Sequence, residues 1–111
     1  MAGSKLDVAA FEKQVSEVAG ILRALANERR LMILCKLVEW GEANVTSLTE
    51  AVGLSQSALS QHLAKMRDEG IVATRRESQT IWYRIADPRI EQLFGVLYEL
   101  YCKPTKAGKS R

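Results

Sequence analysis

The sequence predicts a mainly α-helical domain of the α+β class with a single β-hairpin, and three observations support this prediction. Apolar residues recur every three or four positions over most of the chain, which is typical of amphipathic helices. After Gly70 the spacing changes to alternation, which is typical of strands. The 111 residues suit one domain, and because no apolar run approaches the roughly 18 residues of a membrane span, we expect a cytoplasmic protein.

The first predicted helix runs from about Asp7 to Ala26, after a short N-terminus, residues 1–6, that we expect to be flexible. Its apolar positions are separated alternately by three and four residues, the pattern of a helix that packs lengthwise against another helix. These positions are Val8, Phe11, Val15, Val18, Leu22 and Leu25. The pattern fits either a core helix or a dimer contact, and the residues alone leave both open.

The second predicted helix begins after Asn27, whose side chain can cap the free backbone amides of the first turn, and it ends at Gly41. The stretch between them, "RRLMILCKLVEW", is apolar on nearly every side in its middle. We therefore expect this helix to lie at the centre of the core.

Two further helices follow in a helix-turn-helix arrangement. Thr46 is the predicted cap of the segment "SLTEAV", Gly53 ends that helix, and Ser55 is the predicted cap of the next one. When such a pair binds DNA, its second helix enters the major groove.

The second helix of this pair, within residues 54–72, has an unusual outer face. Leu59, Leu63 and Met66 form its apolar stripe, and the opposite side carries mostly amides and hydroxyls. These polar residues are Gln56, Ser57, Ser60, Gln61 and Lys65. Short amides and hydroxyls can pair with base edges in the major groove. Taken alone, the face fits solvent exposure equally well, whereas its neighbours along the chain favour DNA.

A β-hairpin is predicted where "IVATRR" pairs with "TIWYRI" across a turn at residues 77–79. The apolar face of its second strand consists of Ile81, Tyr83 and Ile85. Arg75 and Arg76 are expected near the tip. A basic hairpin directly after a helix-turn-helix predicts the winged form of that motif.

The last predicted helix begins at Asp87 and Pro88, a capping residue followed by a proline whose missing N–H costs nothing in the first turn. Its apolar positions again form a seam, namely Ile90, Phe94, Leu97 and Tyr101. Two terminal helices with such seams give a small domain more apolar helix surface than one core needs. We therefore expect a homodimer built on the first and last helices, and a flexible basic tail over residues 104–111.

The net charge of +3 is unevenly distributed. Residues 1–54 carry 6 basic and 7 acidic side chains, whereas residues 55–86 and residues 87–111 each carry 5 basic and 3 acidic ones. The basic excess therefore begins at the helix with the polar outer face. This placement agrees with a polyanionic partner such as DNA, although so small an excess decides little by itself.

Three stretches resemble signature segments of the ArsR/SmtB family of winged-helix repressors: "ALANERRLMIL", "LTEAVGLSQSALSQHLAKMRDEGIV" and "TRRESQTIWYRI". The resemblance extends from Val15 to Cys102, and its most specific part is the S-x-H-L at residues 60–63 with the following D-E-G. It implies a homodimer that binds inverted repeats in promoter DNA and leaves when an inducer binds.

The resemblance also implies roles for individual residues. Base edges would be read by Gln56, Ser57, Ser60 and Gln61. Phosphates, or the minor groove at the wing, would be contacted by Lys65, Arg75 and Arg76. His62, the single histidine, would either lie near DNA or support the helix, and both readings remain open. The turn lacks the glycine frequent in the family, so the resemblance does not define the contacts of residues 77–79.

Two metal-binding patterns of the family, a C-x-C before the reading helix and His with carboxylates on the last helix, are missing from this sequence. We therefore expect neither a metal ion nor another cofactor. Cys35 and Cys102 remain, and composition favours two small buried hydrophobes, because a reducing cytosol disfavours a static disulfide. The segments around them instead resemble a metal-less branch of the family. That resemblance implies a dithiol that forms a disulfide or polysulfide bridge with persulfides or oxidants as inducers.

In such a dithiol we expect Cys35 to be the more buried thiol and Cys102, beside Lys103 at a frayed helix end, the more exposed one. A thiol enzyme would need a base near its nucleophile, whereas the single histidine lies on the DNA-reading helix, so we expect no enzyme. The alternative is a metal-sensing or constitutive repressor of the same family whose cysteines only contribute to packing.

Overall fold

The computed structural model describes residues 6–102, which form five helices and one two-stranded antiparallel sheet. In chain order they are α1 (Val8–Leu25), α2 (Glu28–Trp40), α3 (Val45–Val52), α4 (Gln56–Asp68), β1 (Val72–Glu77), β2 (Thr80–Ile85) and α5 (Pro88–Tyr101). The predicted order of helices and hairpin is confirmed. Of the flexible segments predicted for residues 1–6 and 104–111, residues 1–5 and 104–111 lie outside the described residues.

Side-chain caps determine where the helices begin. The caps predicted at Asn27, Ser55 and Asp87 are confirmed, and Asp7 caps α1, since each of these side chains accepts a backbone N–H at 2.9–3.1 Å. The cap predicted at Thr46 is wrong, because that residue lies inside the first turn of α3. Asn44 caps α3 instead. Its extended backbone lets Oδ1 accept from the backbone N–H of Ser47 at 2.9 Å.

The hairpin is anchored to the helical body. Its turn contains only Ser78 and Gln79, so Glu77, predicted in the turn, belongs to β1. Ser78 takes the positive φ of 57° that so tight a reversal requires. Ala43 and Tyr83 exchange two backbone hydrogen bonds of 3.0 and 2.8 Å, which attach β2 to the segment between α2 and α3.

The core lies where α2, α3, α4, the hairpin and the start of α5 meet. Its most deeply buried side chains are Ile33, Leu34, Leu37, Leu48, Leu59, Leu63, Met66, Ile71 and Ile90. The central position predicted for α2 is confirmed, but only one of its faces is buried. On the opposite face Leu31, Met32 and Val38 are 36–46% exposed.

The apolar seam of α1 faces outward. Val8, Phe11, Val15 and Leu22 are 44–61% exposed, whereas Leu25 is buried. The interpretation of α1 as a core helix is therefore wrong for most of its length within a single chain. Its described attachments to the body include Leu25 in the core and a 3.1 Å ion pair from Arg89 to the Glu17 carboxylate.

The helix α5 follows the same pattern. Ile90 is buried in the core, but Val96, Leu100 and Tyr101 are more than half exposed. Among the helices described for residues 6–102, none is long and apolar enough to cross a membrane. Both terminal helices thus present apolar side chains that their own chain does not cover.

Asn44→Ala is expected to lower the free energy of unfolding by about 1 kcal/mol, because the Ser47 N–H loses its acceptor. Thr46→Ala is the matched control and should change it by less than about 0.5 kcal/mol, since Thr46 is an exposed residue within the helix. Urea denaturation followed by circular dichroism measures both values. A larger loss for the Thr46 variant would contradict this assignment of the cap.

Candidate nucleic-acid interface

The rotation of α4 about its own axis is set by its buried side. Leu59, Leu63 and Met66 are fully enclosed, as their spacing predicted. Ser57, Ser60, Gln61 and Lys65 are exposed away from this stripe, and Gln56 is exposed in the first turn, three residues before Leu59. These five residues are called the reading face. All four of the other helices are capped by Asp or Asn, whereas the cap of α4 is Ser55, whose Oγ accepts from the Ala58 N–H at 3.1 Å. The amides and hydroxyls of the reading face therefore stand together on one surface.

The turn before α4 brings α3 against it. Gly53 ends α3 with φ of 71°, a left-handed conformation that favours glycine, and its N–H donates to the Thr49 carbonyl at 3.1 Å. Leu48 of α3 and Leu59 of α4 are both fully buried in the shared core. The pair forms the predicted helix-turn-helix, with the reading face directed away from α3 and the core.

The two wing arginines lie on opposite faces of β1, because successive strand residues alternate in direction. Arg75 donates from Nε and Nη2 to the Glu42 carboxylate at 2.8 and 2.9 Å, and from Nη1 to Glu77 at 3.0 Å. Its guanidinium carbon also lies 5.8 Å from the Trp82 ring centroid. Arg76 is exposed, and it makes no ion pair with the described part of the chain.

The ion pairs of Arg75 shift the pKa values of groups in this cluster. Hydrogen bonding from Arg75 lowers the pKa of the Glu42 carboxyl below its ordinary value, against a smaller opposing effect of burial. Hydrogen bonds to Glu42 and then Glu77 raise the pKa of Arg75. The ion pair therefore favours the charged forms of Glu42 and Arg75, and the guanidinium is held between two carboxylates.

A second charged junction joins α1, α2 and the end of α4. Arg30 is only 8% exposed, and its Nη1 donates to the Ala24 carbonyl at 2.9 Å and to Glu69 Oε1 at 3.2 Å. An open groove of about 840 Å³ runs beside this junction, and both Gln61 and His62 contribute to its wall.

His62 is half-buried on the flank of α4, next to Gln61 of the reading face. Burial lowers the pKa of its imidazole, and the positive charges of Arg30 and Arg29 lower it further. The ring is therefore neutral at neutral pH. Its position in the groove wall favours support of the helix, and it remains close enough to the reading face to adjoin a bound duplex.

The two cysteines are free thiols, and both are exposed. The interpretation of the pair as buried hydrophobes is therefore wrong within a single chain, whereas the expectation that Cys35 is the more buried of the two thiols stays a prediction. The buried stripe of α2 passes through Ile33, Leu34 and Leu37, so Cys35 falls on the opposite side of the helix. Cys102 caps the C-terminal end of α5, as expected from its place in the sequence. The helices α2 and α5 pack against each other, so the thiols belong to neighbouring elements.

No metal centre can be built from the described residues. Within residues 6–102, no group of three or more His, Cys, Asp or Glu side chains is placed to hold a metal ion. Asp87 and Glu17 are occupied by Arg89, at 2.8 and 3.1 Å.

Sequence reasoning missed Glu42 and Arg30. Glu42 lies in a short connecting segment outside any motif. Arg30 lies within the segment "ALANERRLMIL", but nothing in that segment indicates its partner. Their partners are 33 and 39 residues away along the chain. A single sequence carries no signal for such pairings, whereas covariation among relatives is the kind of signal that could reveal them.

A comparison with protein families agrees with this geometry. Residues 27–74 match the family described as "Bacterial regulatory protein, arsR family". The matched segment begins at the cap of α2 and ends within β1, so it contains the helix-turn-helix and the start of the wing.

Individual relatives extend the similarity over nearly the whole chain. The "Transcriptional activator HlyU" of Vibrio cholerae serotype O1 is 42% identical over 101 residues, which cover 91% of this chain and 93% of that protein. The solved structure of the transcriptional repressor BigR from Xylella fastidiosa has a TM-score of 0.82 at 40% identity, covering 88% of this chain and 99% of that one.

A further structure is described as the homodimeric winged helix-turn-helix DNA-binding domain of Mb0332 from Mycobacterium bovis. It has a TM-score of 0.66 at 36% identity and covers 90% of this chain and 89% of that one. These similarities span the terminal helices as well as the helix-turn-helix.

The lowered pKa of His62 predicts a pH dependence of folding stability. The unfolded chain binds a proton near the ordinary pKa of 6.5, whereas the folded chain binds it only at lower pH. The contribution of the neutral His62 imidazole to folding stability is thus complete above pH 6.5, and it is lost as the pH falls below 6.5. The loss of unfolding free energy between about pH 7.5 and about pH 5.5 should be smaller in His62→Gln than in the wild type.

Urea denaturation at the two pH values measures this difference, and every other titrating group serves as an internal control because both proteins contain it. Equal pH dependence in the two proteins would show that burial of the imidazole has no energetic consequence.

Proposed function

The chain belongs to the arsR family of bacterial regulatory proteins, and from that premise we propose that it is a homodimeric cytoplasmic repressor that binds an inverted repeat in promoter DNA. It is a transcriptional regulator rather than an enzyme, as its relatives are. We further propose that a reversible bridge between Cys35 and Cys102 controls its binding. The observation that carries the DNA-binding proposal is the exposed reading face of α4 beside a basic wing.

In this proposal the reading face enters the major groove. Gln56, Ser57, Ser60 and Gln61 contact base edges, because amides and hydroxyls match the donors and acceptors presented there. Lys65 and the exposed wing residue Arg76 contact the phosphates that flank the groove, and His62 adjoins the same surface. The fully buried stripe of α4 supports this assignment, since it leaves no other side of the helix free for DNA.

The homodimer is supported by exposed apolar side chains on the two terminal helices. Phe11 and Val15 of α1, and Val96, Leu100 and Tyr101 of α5, are 44–81% exposed in the single chain. Apolar surface of this extent on two adjacent elements is typical of a protein interface. A two-fold dimer presents two reading faces, and two such faces match the two halves of an inverted repeat.

Gln61→Ala tests the reading face. The probe is a DNA duplex that the wild-type protein selects from a random-sequence pool. Loss of the amide should weaken binding to this duplex roughly tenfold, while binding to an unselected duplex stays within about twofold, because base contacts supply specificity. Fluorescence anisotropy measures both affinities.

Gln92→Ala on α5 is the matched control, an exposed amide outside the reading face. Sedimentation verifies that each protein has twice the 12.4 kDa mass of one chain. If no duplex is enriched by selection, or if the Gln61 and Gln92 variants bind alike, the assignment of the reading face is incorrect.

The proposed switch uses the two exposed thiols. With a persulfide R–S–SH, the Cys102 thiolate takes the outer sulfur and releases R–SH, so that Cys102 becomes a persulfide. The Cys35 thiol then attacks the Cys102 sulfur, which forms a disulfide and releases H₂S. With hydrogen peroxide, Cys102 becomes a sulfenic acid with release of water, and attack by Cys35 releases a second water. Two cysteine persulfides instead condense to a trisulfide and H₂S.

In this proposal the bridge affects the reading faces through the dimer interface. It ties α2, the central core helix, to the end of α5, which belongs to the proposed dimer interface. A change in the angle between protomers alters the separation of the two reading faces, and each 1.4 kcal/mol or so of misfit lowers affinity about tenfold. We therefore expect bridging to release the promoter.

Mass spectrometry after treatment with glutathione persulfide or with hydrogen peroxide tests the switch. The expected product links the peptides of Cys35 and Cys102. Relative to the two free thiols, a disulfide lacks two hydrogens, and a trisulfide lacks the same two hydrogens and gains one sulfur. The same samples should lose affinity for the selected duplex. Non-reducing electrophoresis distinguishes a bridge within one chain from one between protomers.

Cys35→Ser and Cys102→Ser are the matched controls. Both are expected to bind the duplex with wild-type affinity and to keep it after either treatment. If the treated variants release DNA as the wild type does, the cysteines are packing residues and the repressor is constitutive or responds to another inducer.

A further inference from the structure

Arg75 was predicted to contact phosphate, but the structure surrounds it with partners from its own chain. Its guanidinium meets Glu42 through two parallel hydrogen bonds of 2.8 and 2.9 Å, a bidentate geometry, and a third bond of 3.0 Å reaches Glu77. We call the cluster of Glu42, Arg75 and Glu77 the wing clamp. The Trp82 ring on β2, directly across from Arg75, adds a contact at 5.8 Å.

The wing clamp joins two parts of the molecule. Glu42 precedes Ala43 in the segment between α2 and α3, whereas Arg75 and Glu77 belong to β1. The backbone bridge from Ala43 to Tyr83 attaches β2 to the same segment. One strand is thus held by side chains and the other by backbone, and together the attachments define the angle of the hairpin to the helices.

The charge of the wing clamp argues against a direct DNA contact. One guanidinium between two carboxylates leaves a net charge of about −1. A phosphate that approached Arg75 would have to displace Glu42 or Glu77 or accept their repulsion. Arg76, the next residue, points to the other side of the strand and has no described ion-pair partner, so it can approach a phosphate freely.

We propose that Arg75 is a positioning residue, which sets the angle of the wing through Glu42, and that Arg76 supplies the phosphate contact. This inference rests on the proposed DNA binding and assigns roles within it. Most exposed ion pairs add little to folding stability, and a bidentate Arg–carboxylate pair is the geometry that adds most. A bidentate pair also restricts orientation, and orientation decides whether Arg76 reaches the backbone of the duplex.

The variant Glu42→Gln separates the two roles of Arg75. Removal of a carboxylate next to a polyanion strengthens binding if Arg75 is a phosphate contact restrained by Glu42. If Arg75 positions the wing, the same change weakens binding, and we expect affinity for the selected duplex to fall roughly tenfold. Anisotropy titrations measure the sign directly.

The salt dependence of binding provides a second readout that a purely structural role would not change. Arg76→Gln should reduce the magnitude of the slope of log affinity against log salt by about one unit, because one phosphate contact is lost. Adding the charge-neutral pair of changes Glu42→Gln/Arg75→Gln to Arg76→Gln should reduce the slope no further, because Arg75 acts only through the contact that Arg76 makes. Circular dichroism verifies that each variant is folded.

NMR of the wild-type protein tests which arginine contacts DNA, without relying on any variant being folded. The Arg75 Nε–Hε signal should stay unchanged when the selected duplex is added, whereas the signal of Arg76 should shift. Tighter binding by the Glu42 variant, a smaller slope in the triple variant than in Arg76→Gln alone, or a DNA-induced shift of the Arg75 signal would overturn the inference. If the wild-type protein binds no duplex with salt dependence, the proposed function itself has failed.

Discussion

The surface of this protein depends on the burial of one stripe of α4. Leu59, Leu63 and Met66 are fully enclosed, and each stabilises the fold by roughly 1.5–3 kcal/mol relative to exposure. Turning the helix by one residue would expose this stripe and bury amides and hydroxyls without partners, which is costly. The reading face is therefore held outward by the core beneath it. Its own residues are free to match a partner because they are not required to hold the helix.

Charged contacts then connect the reading face to the rest of the molecule. Arg30 is nearly buried and joins the last turn of α1, through the Ala24 carbonyl, to Glu69 after α4. A buried cation that loses a partner is strongly unfavourable, so α1 and α4 resist independent movement. A bridge that shifts the terminal helices would therefore move the reading faces with them. The wing clamp restricts movement of the hairpin in the same way, but its ion pairs are more exposed and therefore weaker.

The outcomes of individual predictions show which structural features local sequence patterns can predict. The caps at Asn27 and Ser55 and the change of period after Gly70 depend on neighbours within a few residues, and the structure confirms them. The error at Thr46 arose because Asn44, two residues earlier, is an equally good capping residue, and only the backbone path selects between them. Glu77 was placed in the turn for the same reason, since a difference of one residue in turn length has no clear sequence signal.

The sequence by itself determined the helices, the hairpin and the polar composition of the reading face, because periodicity and capping are short-range properties of the chain. Tertiary structure alone decided which apolar faces are covered. Periodicity places Cys35 opposite Leu34 and Leu37, but packing determined that the face with Cys35 is the exposed one. It also decided that Arg75 meets Glu42, 33 residues away. Contacts at such separations depend on how whole elements pack, and the spacing of residues within one element contains no information about its neighbours.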